Sequence, residues 1–153
     1  MVKTEFDEHL NSGLIQVLLV SRDAYPRLEG LKHNFQDSDE RVKWRSKQNI
    51  DFALMFDYGR NLSLYYLQLE DDVICAPFFI DGIRDFINQQ EQDKVKWVVL
   101  SFSELGFIGK LYRTSDLARL VRFLYLFYDD QPVDWLYQYF ARLLVVPTHI
   151  VRK

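Results

Sequence analysis

Three consecutive carboxylates, Glu70, Asp71 and Asp72, directly follow the apolar run Leu64–Leu69. Two unit charges ~5 Å apart repel by about 3 kcal/mol at an effective dielectric near 20, so the triplet needs a partner that offsets this repulsion. In an extended segment Glu70 and Asp72 point to one side and Asp71 to the other. Carboxylate oxygens suit hard cations such as Mg²⁺ and Mn²⁺. The triplet indicates either a divalent-metal site or a solvated turn in which an Asp caps the next helix.

A divalent ion at this position would suit chemistry with a departing diphosphate. An ion that bridges two phosphates stabilises the charge of the leaving group and orients the substrate. A transferase that uses a nucleotide diphosphate-sugar needs this arrangement, with short acidic side chains at a strand end beside a cleft. An unrelated metal-dependent phosphohydrolase is a weaker alternative, because it would need more dispersed acidic or His ligands.

The elements that position the triplet can be predicted from the sequence, because short apolar runs alternate with segments of helical spacing. We predict strands at Leu14–Val20, Leu64–Leu69 and Val95–Phe102. Helices are predicted at residues 38–58 with a stop at Gly59, from Phe79 to about Ile87, at Leu117–Tyr128 and at Val133–Leu144. This alternation predicts a parallel or mixed α/β sheet, in which ligands bind at the carboxyl ends of strands.

The composition predicts one domain in 153 residues, of which 48% are hydrophobic. A net charge of −3 with mixed signs argues against a nucleic-acid partner, which needs a basic face. The lone Cys75 excludes an intramolecular disulfide and a cysteine-based zinc site, and we expect it to pack as a small apolar residue. Residues 1–153 contain no run of eighteen apolar residues, as a membrane-spanning helix would need, and no signal-peptide pattern. Asn61-Leu62-Ser63 is an N-glycosylation sequon.

Four blocks of the sequence resemble the N-acetylglucosaminyltransferase IV family, in the family's order and at close to its spacing. The resemblance covers roughly Ser12 to Phe140. The blocks are Arg41–Asp51, Tyr65–Asp72, Phe102–Lys110 and Phe127–Leu136.

The resemblance implies a GT-A-like, Rossmann-related mixed sheet flanked by helices. Members of the family are Golgi type II membrane proteins. They transfer N-acetylglucosamine from UDP-GlcNAc to the α1,3-linked mannose of N-glycans on glycoproteins, form a β1,4 bond with inversion, and use a divalent metal, with Mn²⁺ expected here.

Roles for the acidic residues follow from the same resemblance. It implies that Asp72 ligates the metal and that Glu70 and Asp71 hold the donor. An inverting transfer also needs a general base, and Asp134 resembles the catalytic Asp that precedes a Trp in related transferases. The alternative for Asp134 is an acidic residue that stabilises a helix N-terminus.

Two basic residues, Arg45 and Lys47, lie on the helix that precedes the acidic strand, where a cation could meet the diphosphate. The alternative is a solvated helix face that pairs with Glu40 or Asp51. Trp44, Trp97 and Trp135 are predicted to be core residues rather than sugar platforms.

Relative to the family, residues 1–153 are expected to form a partial catalytic domain, incomplete at both ends. The donor-binding strands of the family precede the position of Leu14, and its sheet continues beyond the Asp134 block. We therefore expect exposed apolar surface and little transferase activity from this polypeptide alone. The alternative function is a non-catalytic relative that binds or regulates a full-length transferase.

Overall fold

The computed structural model describes residues 5–144 and 151–152 of the chain. Its strands are β1 (Tyr65–Gln68), β2 (Val99–Ser101), β3 (Lys110–Arg113) and β4 (Val151–Arg152). Its helices are α1 (Asp7–Asn11), a 3₁₀ turn at Arg22–Ala24, α2 (Asp39–Gly59), α3 (Phe79–Gln92), α4 (Thr114–Phe127) and α5 (Val133–Leu144). No helix within these bounds has the length and apolar character needed to cross a bilayer.

The four strands form one mixed sheet in the order β1-β3-β2-β4. Strand β3 is antiparallel to both β1 and β2, and β2 is parallel to β4. Tyr112 of β3 lies opposite Tyr66 of β1 on one side and Val99 of β2 on the other. The predicted mixed α/β sheet is therefore confirmed.

Alternating side chains of the strands enter two hydrophobic clusters, because successive residues of a strand point to opposite faces. Tyr66, Val99 and Tyr112 join α2, α4 and α5 in the larger cluster. Leu100 and Leu111 pack on the other face with Ile87 of α3. Helices thus cover both faces of the sheet, as the apolar character of the predicted strand at residues 64–69 indicates.

Helix α2 begins and ends where the sequence predicts. The Ser38 hydroxyl accepts a hydrogen bond from the Arg41 amide at 3.4 Å, which satisfies one of the free amides at the helix start. Helix α5 also has its predicted bounds, Val133–Leu144.

The predicted buried strand at Leu14–Val20 is wrong. These residues form no strand in the described part of the chain, and Leu14 and Leu19 are 75% and 93% exposed. A short apolar, β-branched run indicates that burial of its side chains is favourable. A strand also needs a neighbouring strand that forms hydrogen bonds with its backbone. The segment instead lines an open groove of about 900 Å³ beside β1 and the second half of α2. Apolar surface is thus exposed here, as expected.

Strand β3 was not predicted, and the strand predicted at Val95–Phe102 is shorter, at Val99–Ser101. Cys75, expected to pack as a small apolar residue, is exposed, so that prediction is wrong. It lies in the irregular segment 73–76 after the acidic triplet, outside any helix or strand. Asn61 of the sequon is exposed in the turn that follows α2.

Asn49 ties α2 to the turn that precedes α5. Its buried side-chain amide donates hydrogen bonds to the carbonyl oxygens of Tyr128 and Gln131, at 2.8 and 2.7 Å. Replacement by alanine removes both bonds and leaves acceptors unpaired, so we expect Asn49→Ala to lower the free energy of unfolding by about 2–3 kcal/mol. Urea unfolding followed by circular dichroism measures this loss.

The matched control is Asn88→Ala, which changes an exposed asparagine in α3. It should leave the unfolding free energy within about 0.5 kcal/mol of the wild-type value. Equal stabilities of the two variants would contradict the anchoring role of Asn49.

Candidate functional site

A cleft of about 400 Å³ opens between the first half of α2, the loop that joins β2 to β3, and the start of α5. Arg45, Glu70 and Asp134, all predicted site residues, line it although they are far apart in the sequence. The other charged groups on its wall are Asp37 and Arg41. The cleft therefore combines three carboxylates with two guanidinium groups, a set that can contact both anionic and hydroxyl-bearing ligands.

Glu70 enters the cleft directly after β1 and is half-buried. Its Oε1 accepts a hydrogen bond from the Phe107 amide at 3.2 Å, which holds the carboxylate against the loop between β2 and β3. Gly106 has φ +44° beside this contact, and a Cβ there would lie 3.5 Å from the same oxygen. The glycine is needed for its left-handed backbone conformation rather than for space.

Arg45 is a buried cation, with 2% of its surface exposed. Its Nη2 donates to the Lys32 carbonyl oxygen at 3.3 Å, and its Nε lies 3.9 Å from the Asp37 carboxylate. The guanidinium also lies over the Phe35 ring, 5.0 Å from its centre. Nε and Nη1 have no hydrogen-bond partner among the described residues. A buried guanidinium with unused donors gains stability from a further oxygen ligand, so Arg45 suits an anion contact.

Asp134 lies in the first turn of α5 and is half-buried in the cleft. An acidic residue at the start of a helix interacts favourably with the positive end of the helix dipole. An ionised carboxylate that faces a cleft can accept a proton from a bound hydroxyl group. The placement is also that of a simple helix-start residue, so geometry alone allows both roles predicted for Asp134.

Asp71 and Asp72 are exposed in the turn after Glu70 and do not line the cleft. The acidic triplet is thus divided between the cleft and its surroundings. Among residues 5–144 and 151–152, no three His, Cys, Asp or Glu side chains are grouped to hold a metal ion. These carboxylates therefore fit a Mg²⁺ or Mn²⁺ ion only where substrate phosphates and water complete its ligands, which is common for such ions. The metal role of Asp72 and the donor role of Asp71 stay predictions.

Lys47 is exposed on α2 and lies outside the cleft lining. Its Nζ pairs with the Asp51 carboxylate at 2.7 Å, one turn further along the helix. The hydrogen bond with Asp51 raises the pKa of Lys47 above its usual value, so the lysine is charged at neutral pH. This is the pairing that the alternative interpretation of the helix face predicts, and the contact of Lys47 with a donor stays a prediction.

Two tryptophans that line the cleft were not predicted as site residues. Trp44 and Trp135 line the cleft and are 60% and 47% exposed, so their prediction as core residues is wrong. Trp97 is 3% exposed, as predicted. A signal was present for Trp44, because it lies off the stripe of α2 that carries the buried side chains Val42, Arg45 and Asn49.

Comparison with known proteins identifies the family. Residues 1–151 match the model of the MGAT4 conserved region. The chain belongs to this family. The MGAT4 match includes α2, the acidic turn and the start of α5, so every residue of the cleft described above lies within it.

Similar MGAT4-type proteins carry N-acetylglucosaminyltransferase names. The chain is 48% identical over 151 residues to a Gallus gallus alpha-1,6-mannosyl-glycoprotein 4-beta-N-acetylglucosaminyltransferase, covering 99% of this chain and 32% of that protein. It is 45% identical to the alpha-1,3-mannosyl-glycoprotein 4-beta-N-acetylglucosaminyltransferase C of Danio rerio, over 94% and 31% of the two chains. The form A of Macaca fascicularis is 41% identical, over 88% and 25%.

The chain therefore spans between a quarter and a third of the length of these relatives. No solved structure matches it significantly. The family resemblance predicted from the four sequence blocks is confirmed, and the family is one of N-acetylglucosaminyltransferases.

Proposed function

We propose that the chain forms the donor- and acceptor-binding part of an inverting transferase with a GT-A-like fold. The reaction is transfer of N-acetylglucosamine from UDP-GlcNAc, in β1,4 linkage, to a mannose of N-glycans on glycoproteins. The observation that carries the proposal is the convergence of Arg45, Glu70 and Asp134 on one cleft within an MGAT4 conserved region. The names of the relatives support the transferred sugar and the mannosyl acceptor.

Asp134 acts as the general base in this proposal. Its carboxylate takes the proton of the acceptor 4-hydroxyl while that oxygen forms a bond to the anomeric carbon of the donor sugar. The bond from the anomeric carbon to the diphosphate oxygen breaks, and UDP leaves with its electron pair. Attack from the side opposite the leaving group inverts the anomeric centre.

Arg45 and Glu70 hold the donor at the inner wall of the cleft. The Arg45 guanidinium has unused donors for diphosphate oxygens, whereas the fixed Glu70 carboxylate can accept hydrogen bonds from sugar or ribose hydroxyl groups. Asp72, in the turn next to Glu70, would hold Mn²⁺ together with the donor phosphates. The bound ion supplies charge stabilisation for the departing diphosphate.

The acceptor arm is proposed as the α1,3-linked mannose, which the names of the Danio rerio and Macaca fascicularis relatives specify. The Gallus gallus relative is named for the α1,6 arm, so that arm is the specific competitor. Acceptor glycans that carry only one of the two arms separate these outcomes in a transfer assay. We place the activity in the Golgi, where the resemblance implies that the family works.

An NMR titration of the ¹⁵N-labelled chain with UDP-GlcNAc and Mg²⁺ tests the proposal, because it detects even weak binding. Mg²⁺ replaces Mn²⁺ here because a paramagnetic ion would broaden the signals of nearby amides. Saturable shifts are expected for the amides of Arg45, Phe107 and Asp134, which surround the cleft. ADP-glucose should cause smaller shifts. The absence of shifts at these amides, or equal shifts with both nucleotides, would overturn the proposal.

Arg45→Lys is expected to weaken UDP binding at least about 10-fold, because a lysine keeps the charge but loses the planar set of donors. Isothermal titration calorimetry with UDP and Mn²⁺ measures the change, and circular dichroism checks that the variant is folded. The matched control is Lys43→Met, which removes an exposed cation from the same helix.

Lys47→Met tests the second predicted donor contact in the same assay. Since Lys47 lies outside the cleft and pairs with Asp51, we expect the Kd for UDP to change by less than about twofold. If Lys47→Met lost much of its UDP affinity and Arg45→Lys lost none, the diphosphate site would lie near Lys47 and outside the cleft.

A further inference from the structure

The cleft exposes two indole rings, although tryptophan is normally among the more buried side chains. Trp44 on α2 and Trp135 on α5 are 60% and 47% exposed, whereas Trp97 is buried in the cluster on the α3 face of the sheet. Both exposed rings line the same cleft as Asp134 and Glu70. Large apolar surfaces that remain open beside converging polar groups mark a binding site.

Trp135 is held in place despite its exposure. The ring of Phe35 packs edge-on against it, with 5.4 Å between ring centres and an interplanar angle of 85°. Phe35 is itself fixed beneath the Arg45 guanidinium. A ligand that stacks on Trp135 therefore meets a ring whose orientation is already set, which lowers the entropic cost of binding.

The charged groups and the indole rings of the cleft suit different ligands. A diphosphate is anionic and is attracted to the guanidinium of Arg45, whereas a neutral pyranose has an apolar C–H face that stacks on an indole and hydroxyl groups that reach nearby carboxylates. Trp135 directly follows Asp134, the proposed base, which must contact a hydroxyl group of the acceptor. Because Trp135 and Asp134 line the same cleft, a sugar stacked on Trp135 suits the role of acceptor sugar.

We propose that Trp44 and Trp135 form a stacking platform for the pyranose rings of the acceptor glycan. The inference rests on the proposed function and adds its acceptor subsite. Trp135 positions the mannose whose hydroxyl group faces Asp134, and Trp44 contacts a neighbouring sugar on the same glycan. In this assignment the two rings contact the neutral oligosaccharide rather than the nucleotide.

Binding of the neutral trimannosyl N-glycan core to the purified chain tests the platform. Trp135→Ala and Trp44→Ala are each expected to weaken binding by roughly 2- to 10-fold, the range for loss of one aromatic contact. Trp135→Phe keeps a stacking surface and should retain most of the affinity. Tyr125→Ala removes a 38% exposed aromatic ring outside this cleft and should leave the affinity unchanged.

UDP-GlcNAc is titrated into the same variants, so that failure of the platform is distinct from failure of the proposed function. Unchanged UDP-GlcNAc affinity with weakened glycan affinity supports the platform. Equal losses for both ligands would assign the indoles to the donor sugar and overturn the acceptor assignment. Binding of UDP-GlcNAc without any binding of the glycan by the wild-type chain would overturn the platform alone, and binding of neither would overturn both proposals.

Discussion

Replacing Asp134 with asparagine is expected to lower the rate of N-acetylglucosamine transfer by about 10²–10⁴-fold, the usual contribution of a general base. Asparagine has nearly the same shape but cannot accept the proton of the acceptor hydroxyl group. The Kd for UDP-GlcNAc should stay within about twofold, because Arg45 and Glu70 are unchanged. Transfer to an N-glycan acceptor with Mn²⁺ is measured by mass spectrometry as a rate relative to the wild-type chain. Since little activity is expected from this polypeptide alone, the assay uses a high enzyme concentration and long incubation.

The control must separate catalysis from the stabilisation of a helix start. Asp116 lies in the first turn of α4, away from the cleft, so Asp116→Asn removes a comparable charge next to a comparable helix dipole. Full turnover is expected for this variant. If Asp134→Asn also retained full turnover, Asp134 would be a helix-start residue and the base would have to be another group of the cleft.

The helices of this fold were predictable because their start signals and apolar spacing are local. Ser38 caps α2 through a hydrogen bond three residues away, and Pro132 precedes the first residue of α5. Strand β3 was missed because its first residue is a lysine that is only 1% exposed. Lys110 donates to the Ser101 hydroxyl at 2.9 Å and to the Ser103 carbonyl oxygen at 2.5 Å. Such partners come from the neighbouring strand and loop and leave no local sequence pattern.

The cleft was predictable only in part. The end of an apolar strand identified the position of Glu70, and Arg45 was selected from its place on the helix before that strand. Asp134 was selected through family resemblance. The convergence of these three residues depends on contacts between distant segments, among them the hydrogen bonds that Asn49 makes to the turn before α5. The exposure of Trp135 could not be predicted from its residue type, since an indole has the same hydrophobicity in a core and on the wall of a sugar site. The prediction of a buried strand at Leu14–Val20 failed for a related reason, because apolarity does not specify the partner.

Asp72→Ala is expected to abolish the metal-dependent part of UDP binding. Because Asp72 is exposed in a turn, its removal should change the free energy of unfolding by less than about 0.5 kcal/mol, so a loss of binding would report on the ligand site itself. Calorimetry with UDP, first with Mn²⁺ and then with excess EDTA, measures the metal-dependent share. In the wild-type chain EDTA should weaken binding, whereas in Asp72→Ala the two titrations should coincide.

The matched control is Asp85→Ala, which removes an exposed carboxylate from α3 and should keep the response to EDTA. The outcome decides how the divided acidic triplet works, because Glu70 faces the cleft while Asp71 and Asp72 face solvent. Loss of the metal response in Asp72→Ala means that the donor diphosphate spans the rim between Arg45 and this turn. An unchanged response means that the turn is a solvated surface feature and that a metal ligand would have to be one of the carboxylates inside the cleft.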